Sequence, residues 1–305
     1  MDRIAPIVLF VYNRLEHIKK TVEALQMSKL AKDSELFIYS DAHRNADDRM
    51  KIDEVRKYIE SIDGFKKVTV IKREKNWGLA DSIVDGVTKI VNEYGRVIVL
   101  EDDILTSPFF LEYMNDALEF YKNEKKVWHI SGWNYPIETD ELKDVFLWRL
   151  MNCWGWATWD DRWKYYEKDT NKSIKNFSKE DIKFFNIDGV EDFFGQVVAN
   201  HEKKINTWAI FWYTTIFQKN GLCLNPSQTF VENIGLDGTG VHCGEEYDVF
   251  KSVLCQKQNI RFNINIKENR VALEKIQDFY RSKKKNLITR IINKISLKRK
   301  GTITS

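Results

Sequence analysis

Three consecutive acidic residues, Glu101, Asp102 and Asp103, directly follow the apolar run from Val97 to Leu100. Crowded carboxylates raise one another's pKa unless a positive charge lies beside them. Carboxylate oxygens are ligands that Mg²⁺ and Mn²⁺ prefer, and a bound divalent ion stabilises the charged form of its neighbours. The triplet therefore predicts a site for Mn²⁺ or Mg²⁺.

Polar residues also follow the three earlier apolar runs of the chain. Asn13-Arg14 follows the run 6–12, Asp41 ends the run 35–41, and Asn76-Trp77-Gly78 comes after the run 67–74. The carboxyl ends of parallel strands meet at one edge of a sheet, where open α/β sheets bind their ligands. The simpler alternative is that strand ends are polar because they meet solvent. The residue types at all four ends together favour one shared site.

The first third of the chain alternates apolar runs with segments of helical spacing. Strands are predicted at 6–12, 35–41, 67–74 and 96–103, and helices at 15–28, 47–62 and 79–94. This β-α alternation predicts an α/β fold with a mostly parallel sheet flanked by helices.

The remainder is less regular. Ser107 and Pro108 are predicted to cap and begin a helix that runs to about Tyr121. A strand at 127–132, an aromatic region at 142–163, helices near 179–200 and 207–219, a strand at 221–227 and a glycine-rich loop at 233–244 follow. We expect one domain at 1–278, with a nucleotide-binding half at 1–103 and an acceptor-binding half at 104–278, and a tail at 279–305.

Composition excludes several classes of protein. The 305 residues are 43% apolar, which is enough to build a core and argues against disorder. The four cysteines are widely spaced, so we expect free thiols in a reducing compartment and no zinc site. The apolar run at 4–12 is nine residues long, lacks a small-residue cleavage site and is followed by Asn13-Arg14, so it predicts a buried strand and not a signal peptide. No stretch reaches the roughly 18 apolar residues that a membrane span needs.

The basic charge is concentrated in the tail. Segment 281–300 carries nine Lys and Arg and no acidic residue, although the whole chain has a net charge of only +3. Leu287, Ile288, Ile291, Ile292 and Ile295 have the spacing of one helical face. This pattern predicts a basic amphipathic helix that binds an anionic membrane surface. A solvated disordered tail is the main alternative, and no nucleic-acid partner is expected because the apolar face would then have no purpose.

The N-terminal half resembles the GT-A fold of nucleotide-sugar glycosyltransferases, and the acidic triplet resembles their D-x-D motif. The E-D-D form resembles that of the N-acetylglucosaminyltransferase I-like group. Residues 4–245 are similar overall to bacterial surface-polysaccharide sugar transferases, with "YNR", "N-x-G-L", "EDD", "GWA-x-W" and "NIG-x-DG-x-G-x-H" in this order. The set is specific, whereas each motif alone is not.

The resemblance implies a nucleotide-sugar donor, with a UDP-sugar favoured, and roles for individual residues. Asp103 would be the main metal ligand, and the late His242 would complete the metal shell, although His242 could equally be an ordinary loop histidine. Donor-binding residues would be Asn13, Arg14, Asp41, Asn76, Gly78, Glu101 and Asp102, with Asp41 on the base or ribose.

The acceptor and the catalytic base are less determined. Aromatic faces suit sugar rings, so the acceptor candidates are Trp133, Trp154, Trp156 and Trp159, of which about half are expected in the core instead. Asn206 is a further acceptor candidate. An inverting enzyme needs a carboxylate base. In the resembled group this is an Asp near the start of a late helix, but here the matching stretch 204–213 offers only Asn206. Substitute bases are Asp160, Asp161, Asp192 and Glu202, and a retaining mechanism without such a base stays open.

These observations predict a metal-dependent glycosyltransferase of the hexosyl or N-acetylhexosaminyl class. It would act on a glycan or lipid-linked glycan of bacterial surface polysaccharide (lipopolysaccharide or capsule), as a peripheral protein on the cytoplasmic face of the membrane. A sugar-phosphate nucleotidyltransferase is the first alternative, but 11–20 lacks the glycine-rich loop that such enzymes carry after the first strand. A non-enzymatic membrane-binding protein is the second, and it would leave the acidic triplet unexplained.

Overall fold

The computed structural model describes residues 4–237 and 249–301, with side chains to residue 285 in the last helix. A large mixed sheet lies at its centre. The strands are β1 (Ile7–Val11), β2 (Glu35–Ser40), β3 (Lys67–Lys72), β4 (Arg96–Glu101), β5 (Ile104–Thr106), β6 (Val127–Ser131), β7 (Val145–Trp148), β8 (Trp156–Trp159), β9 (Leu222–Pro226) and β10 (Val231–Asn233).

Helices cover both faces of this sheet. They are α1 (Leu15–Gln26), α2 (Ala46–Ile59), α3 (Leu79–Tyr94), α4 (Phe110–Phe120), α5 (Asp160–Trp163), α6 (Thr170–Asn176), α7 (Lys179–Phe185), α8 (Phe194–His201), α9 (Ala209–Gln218) and α10 (Arg270–Gly301), with a short 3-10 helix at Ala31–Asp33. The predicted early strands and helices are confirmed to within a few residues, because each is encoded by its own local apolar pattern.

Eight strands form the main sheet in the order β3-β2-β1-β4-β8-β6-β9-β7. Strands β1 to β4 are mutually parallel, with Ile7 opposite both Leu36 and Ile98. Strand β8 runs antiparallel to both β4 and β6, and β7 runs antiparallel to β9. Strand β1 is buried on both faces along its whole length, as expected for a central parallel strand. The predicted α/β class with a mostly parallel sheet is confirmed.

Three local predictions need correction. Helix α4 begins at Phe110, not at Pro108, because the Ser107 hydroxyl donates to the carbonyl of Cys255 (2.6 Å) and accepts from the amide of Phe109, two residues on. The single helix predicted at 179–200 is two helices, since Ile187 and Asp188 adopt positive φ between them. The aromatic region 142–163 contains the strands β7 and β8.

The last helix begins in the core and continues into the basic segment. Ala272, Leu273, Ile276 and Tyr280 are buried, so the first turns of α10 pack against the domain. Just before it, Glu268 accepts two hydrogen bonds from Arg149, at 2.7 Å from Nε and 2.6 Å from Nη2. Helix α10 therefore crosses residue 279, where the tail was predicted to begin. The apolar residues predicted to face a membrane, Leu287 to Ile295, lie outside the described side chains.

Within the described residues, no helix is both long enough and apolar enough to cross a bilayer. Residues 238–248, which include His242 and most of the glycine-rich loop, lie outside the described residues.

Candidate active site

Arg14 is the positive group beside the acidic triplet. Strand β4 ends at Glu101, and Asp102 and Asp103 form the turn into β5. One guanidinium nitrogen of Arg14, in the turn after β1, donates to Oδ1 of Asp102 and to Oδ2 of Asp103, the latter at 2.7 Å. The Tyr12 amide also donates to Asp102, at 3.2 Å to Oδ2. These contacts join the end of β1 to the end of β4.

A single guanidinium does not fully compensate three crowded acids. Burial, and then the charges of Asp103 and Asp102, raise the pKa of Glu101 to about 8 against the lowering effect of Arg14. Burial likewise raises the pKa of Asp102 to about 6 against the lowering effect of Arg14. The site therefore has a deficit of positive charge, which a divalent cation would supply.

The donor set suits a metal that the substrate helps to hold. No cluster of three or more His, Cys, Asp or Glu side chains with metal-binding geometry occurs in the part of the chain that the structure describes. Mg²⁺ commonly binds through one or two carboxylates, with waters and substrate phosphates completing its shell. Asp103, with Asp102 beside it, could supply the one or two carboxylate ligands of such a site. The described residues do not form a metal site in which all ligands come from the protein.

Gly235 packs directly against the triplet, and sequence reasoning missed it. The amide of the preceding residue, Ile234, donates to the carbonyl of Asp103 at 2.9 Å. A Cβ at Gly235 would overlap Oδ2 of Asp103 and lie 2.7 Å from its Cγ and 2.8 Å from Nη1 of Arg14. Only glycine leaves room for the Arg14–Asp103 ion pair here. The glycine-rich composition of 233–244 was the available signal, but nothing in the sequence showed which glycine meets which side chain.

Asp41 organises the loop that follows β3. Its carboxylate accepts from the amides of Trp77 (2.9 Å) and Gly78 (2.8 Å), and from the side-chain amide of Asn76 (3.1 Å). It also accepts from the amide of Ala42 at 2.9 Å. The three predicted donor residues Asp41, Asn76 and Gly78 are thus brought together. In this structure, however, the Asp41 oxygens already hold the loop, so the predicted contact of Asp41 with a base or ribose would have to share them.

Asn13 is tied to helix α2 through Asp48, which sequence reasoning also missed. Asp48 accepts from Nδ2 of Asn13 at 2.9 Å and from the hydroxyl of Tyr12 at 2.8 Å. The Asp48 amide in turn donates to Asn45, which caps α2, at 3.0 Å. Asp48 lies within an ordinary helix-capping pattern, which carries no sequence signal for a second role.

An aromatic cavity of about 260 Å³ is lined by residues between Trp133 and Tyr280, including Cys153 and Trp154 just before β8. Its walls include Trp133, Tyr135, Trp154, Phe193, Tyr213 and Phe250, and Tyr280 of α10 closes one side. Trp133 and Trp154 meet edge to face, with ring centroids 4.8 Å apart. Two of the four tryptophans predicted for the acceptor therefore line a cavity.

The other predicted acceptor residues lie elsewhere. Trp156 is in the core, where it stacks on Trp208 with 5.1 Å between centroids. Trp159 is also buried, and its indole N–H donates to the carbonyl of Leu118 at 3.1 Å. Asn206 is exposed, accepts from Lys168 and does not line the cavity. Because core and cleft tryptophans share the same sequence signature, the sequence could not separate them.

Two of the four candidates for the catalytic base lie far from the triplet. Asp160 and Asp161 follow β8, which pairs antiparallel with β4 so that Trp159 lies opposite Arg96. They therefore lie at the edge of the sheet opposite to the triplet, and Asp161 forms ion pairs with Lys125 and Arg162 (both 2.5 Å). This position separates both residues from the triplet.

The two remaining carboxylates flank α8. Glu202, at its carboxyl end, is exposed and pairs with Lys204 at 2.7 Å, so it is not held near the triplet. Asp192 lies just before α8, where it accepts from the amide of Gly195 at 3.0 Å. Its neighbour Phe193 lines the aromatic cavity. Of the four candidates, Asp192 is the one next in sequence to a residue of the cavity wall, although its carboxylate accepts from Asn186 and Gly195.

Comparison with known proteins agrees with this arrangement. The model of the family described as "Glycosyl transferase family 2" matches residues 7–189, which is more than half of the chain. The chain belongs to glycosyl transferase family 2. Its mixed, mostly parallel sheet flanked by helices is the GT-A arrangement, whereas membership of the N-acetylglucosaminyltransferase I-like group is not established. No curated relative matched.

Solved structures show only distant similarity. The S. aureus TarS fragment 1-349 is 11% identical over 74% of this chain and 59% of that chain, with a TM-score of 0.41. A longer S. aureus TarS structure is 16% identical over 46% of this chain and 24% of that chain, with a TM-score of 0.32. The mannosyltransferase PcManGT from Pyrobaculum calidifontis, in complex with GDP-Man and Mn²⁺, is 12% identical over 70% and 68%, with a TM-score of 0.37. The chain thus spans well under two thirds of the TarS chains.

Proposed function

We propose that the protein transfers a sugar from a nucleotide diphosphate donor to a glycan acceptor, with a divalent metal held at Asp103. The observation that carries the proposal is the contact of Arg14 with Asp102 and Asp103. This contact brings a guanidinium and two carboxylates together at the edge of the sheet where α/β proteins bind their ligands, in a chain of glycosyl transferase family 2. Family membership favours sugar transfer over the nucleotidyltransferase and membrane-binding alternatives.

Different residues around this edge of the sheet would bind different parts of the donor. The loop 76–78, held rigid by Asp41, borders the edge and presents Gly78, whose missing side chain permits close approach of a ligand. Arg14 is placed to exchange part of its contact with Asp102 and Asp103 for a donor phosphate, since guanidinium binds both kinds of anion. A divalent metal, when bound by Asp103, supplies the charge that makes a nucleoside diphosphate a better leaving group.

The acceptor would enter from the aromatic cavity. Trp133 and Trp154 offer flat apolar faces, which suit a sugar ring. We favour Asp192 as the base for an acceptor hydroxyl, because its neighbour Phe193 lines this cavity, whereas Asp161 lies at the opposite edge of the sheet. A base at this position implies an inverting mechanism. If a variant without the Asp192 carboxylate keeps its activity, a retaining mechanism is favoured instead.

The remaining features of the proposal rest on sequence. The ordered motif set supports a role in bacterial surface polysaccharide synthesis, with a UDP-linked hexose or N-acetylhexosamine as donor. The basic segment 281–300 supports peripheral attachment to an anionic membrane, on the cytoplasmic face where nucleotide sugars are made.

A binding experiment tests the central proposal. Nucleoside diphosphates are titrated into the protein with Mn²⁺ or with EDTA, and affinity is followed by calorimetry. We expect binding that needs the metal, and a loss of at least tenfold in Asp103→Asn, because one charged ligand of the ion is removed. Asp63→Asn, an exposed acid just before β3 and therefore at the opposite edge of the sheet, is the matched control. Metal-independent binding, or equal affinity of the two variants, would refute the role of Asp103.

A further inference from the structure

The aromatic cavity lies next to the end of β4, the strand that carries the acidic triplet. Strand β8 pairs antiparallel with β4, with Val99 opposite Trp156, so the residues just before Trp156 continue alongside the end of β4. A Cβ at Gly155 would lie 3.3 Å from a methyl carbon of Leu100. The preceding residue, Trp154, lines the cavity. A group in the cavity can therefore belong to a molecule whose other end reaches the triplet.

Three rings form a corner in the cavity wall. The planes of Trp133 and Trp154 cross at 73°, and Phe250 crosses Trp154 at 89° and Trp133 at 64°. Crossed ring planes surround a compact apolar group such as a methyl on several sides, whereas a sugar ring stacks on one aromatic face at a time. The cavity volume of about 260 Å³ lies at the low end for ligand pockets, so it admits one sugar residue or a substituent of one.

The tyrosine hydroxyls in the wall are already hydrogen-bonded to protein groups. Tyr213 donates to the carbonyl of Phe185 at 2.9 Å. The hydroxyls of Tyr135 and Tyr280 lie 2.9 Å apart, and that of Tyr135 donates to Oδ1 of Asn152 at 3.3 Å. A hexose that buried all its hydroxyls in this mainly aromatic lining would leave several of them without partners, which is costly.

Two carboxamides in the wall can still take a ligand. Nδ2 of Asn152, in the segment before β8, is buried and has no hydrogen-bond partner among the described residues. Gln196 of α8 is exposed, lines the cavity, and forms no side-chain hydrogen bond with the described part of the chain. A trans amide carries its N–H and its C=O on opposite sides. Such an amide can therefore donate to one of these carboxamides and accept from the other.

Resting on the proposed function, we propose that the acceptor ends in an acetamido sugar and that its acetamido group occupies the cavity. The methyl group packs in the corner formed by Trp133, Trp154 and Phe250. The amide carbonyl accepts from Nδ2 of Asn152, and the amide N–H donates to Oε1 of Gln196. The ring hydroxyls stay outside the aromatic walls, so they are not buried without partners, and one of them reaches the triplet.

Binding of simple sugars tests this inference. N-acetylglucosamine, N-acetylgalactosamine and N-acetylmannosamine are each compared with the parent hexose, so that the comparison does not depend on ring configuration. The sugar 6-deoxyglucose supplies a methyl group without an amide. We expect at least one acetamido sugar to bind about tenfold more tightly than its parent, since it adds a buried methyl group and two hydrogen bonds. In saturation-transfer difference NMR, its acetamido methyl protons should receive the strongest saturation.

Gln196→Met removes the carboxamide and keeps a side chain of similar length. We expect it to weaken binding of the acetamido sugar by about three- to tenfold and to leave the parent hexose unchanged, as for loss of one hydrogen bond. Gln218→Met is the matched control, because Gln218 is an exposed residue at the end of α9 that does not line the cavity.

Four outcomes would overturn the inference. They are no binding of any sugar, binding of a parent hexose or of 6-deoxyglucose as tight as that of the acetamido sugars, saturation concentrated on ring protons, and equal effects of the two Gln variants. Metal-dependent nucleotide binding is measured in the same samples. If it persists while the sugars fail, only the acceptor class is refuted, and if it is absent, the proposed function itself fails.

Discussion

Replacing Gly235 by alanine should disrupt donor binding more than folding. The new Cβ would lie under 3.0 Å from atoms of both Asp103 and Arg14, so moving one of them does not relieve the overlap. The charge-assisted bond between them, 2.7 Å long, has to break or lengthen. Such bonds contribute about 1.5–3 kcal/mol, which corresponds to roughly 10- to 150-fold in affinity if the ligand needs both groups in place.

Calorimetric titration of a nucleoside diphosphate with Mn²⁺ measures this loss. Gly95→Ala is the control, because Gly95 has a φ of 78° at the end of α3 and a Cβ there meets nothing within 4 Å. That change should lower the free energy of unfolding by about 1 kcal/mol without altering nucleotide affinity. The reasoning is refuted if Gly235→Ala, folded to the same extent, binds the nucleotide as tightly as the unchanged protein.

Two further predictions concern stability. Asp41→Asn should lower the free energy of unfolding by about 1–3 kcal/mol in urea titrations, because an amide nitrogen replaces an oxygen that accepts backbone N–H groups of the loop 76–78; unchanged stability would contradict the role given to Asp41. Burial lowers the pKa of His129 to about 3, so only the unfolded state binds its proton between about pH 6.5 and 3. Stability should therefore fall as pH drops through this window, by about 2 kcal/mol at pH 5 relative to pH 8, and His129→Gln should remove that part of the slope. Identical slopes in the two proteins would show that His129 does not contribute.

Most residues at the carboxyl edge of the parallel strands could be predicted from sequence, because the strands and the polar residues that follow them are local patterns. Each of the first four strands is an apolar run followed by polar residues, and parallel strands necessarily bring those ends together. The sequence also indicated that the triplet needs a positive partner. It did not indicate Arg14 as that partner, since 88 residues separate Arg14 from Asp102 and only the pairing of β1 with β4 brings them into contact.

The acceptor side was less predictable for a topological reason. Strand β8 inserts antiparallel between β4 and β6, and this places Asp161 at one edge of the sheet and Trp154 at the other. Strand order depends on long-range packing that leaves no local signal. The same applies to Trp156, which has the sequence context of a binding-site residue and is buried against Trp208.

The insertion of β8 also restricts how the protein can move. Four residue pairs, from Arg96–Trp159 to Val99–Trp156, join β4 to β8 in a continuous sheet that carries both the acidic triplet and the wall of the aromatic cavity. A hinge between these two regions would have to break that ladder of backbone hydrogen bonds. Any exclusion of water from this region would therefore have to come from short segments at the sheet edge, such as 152–154, and not from rotation of one half of the domain against the other.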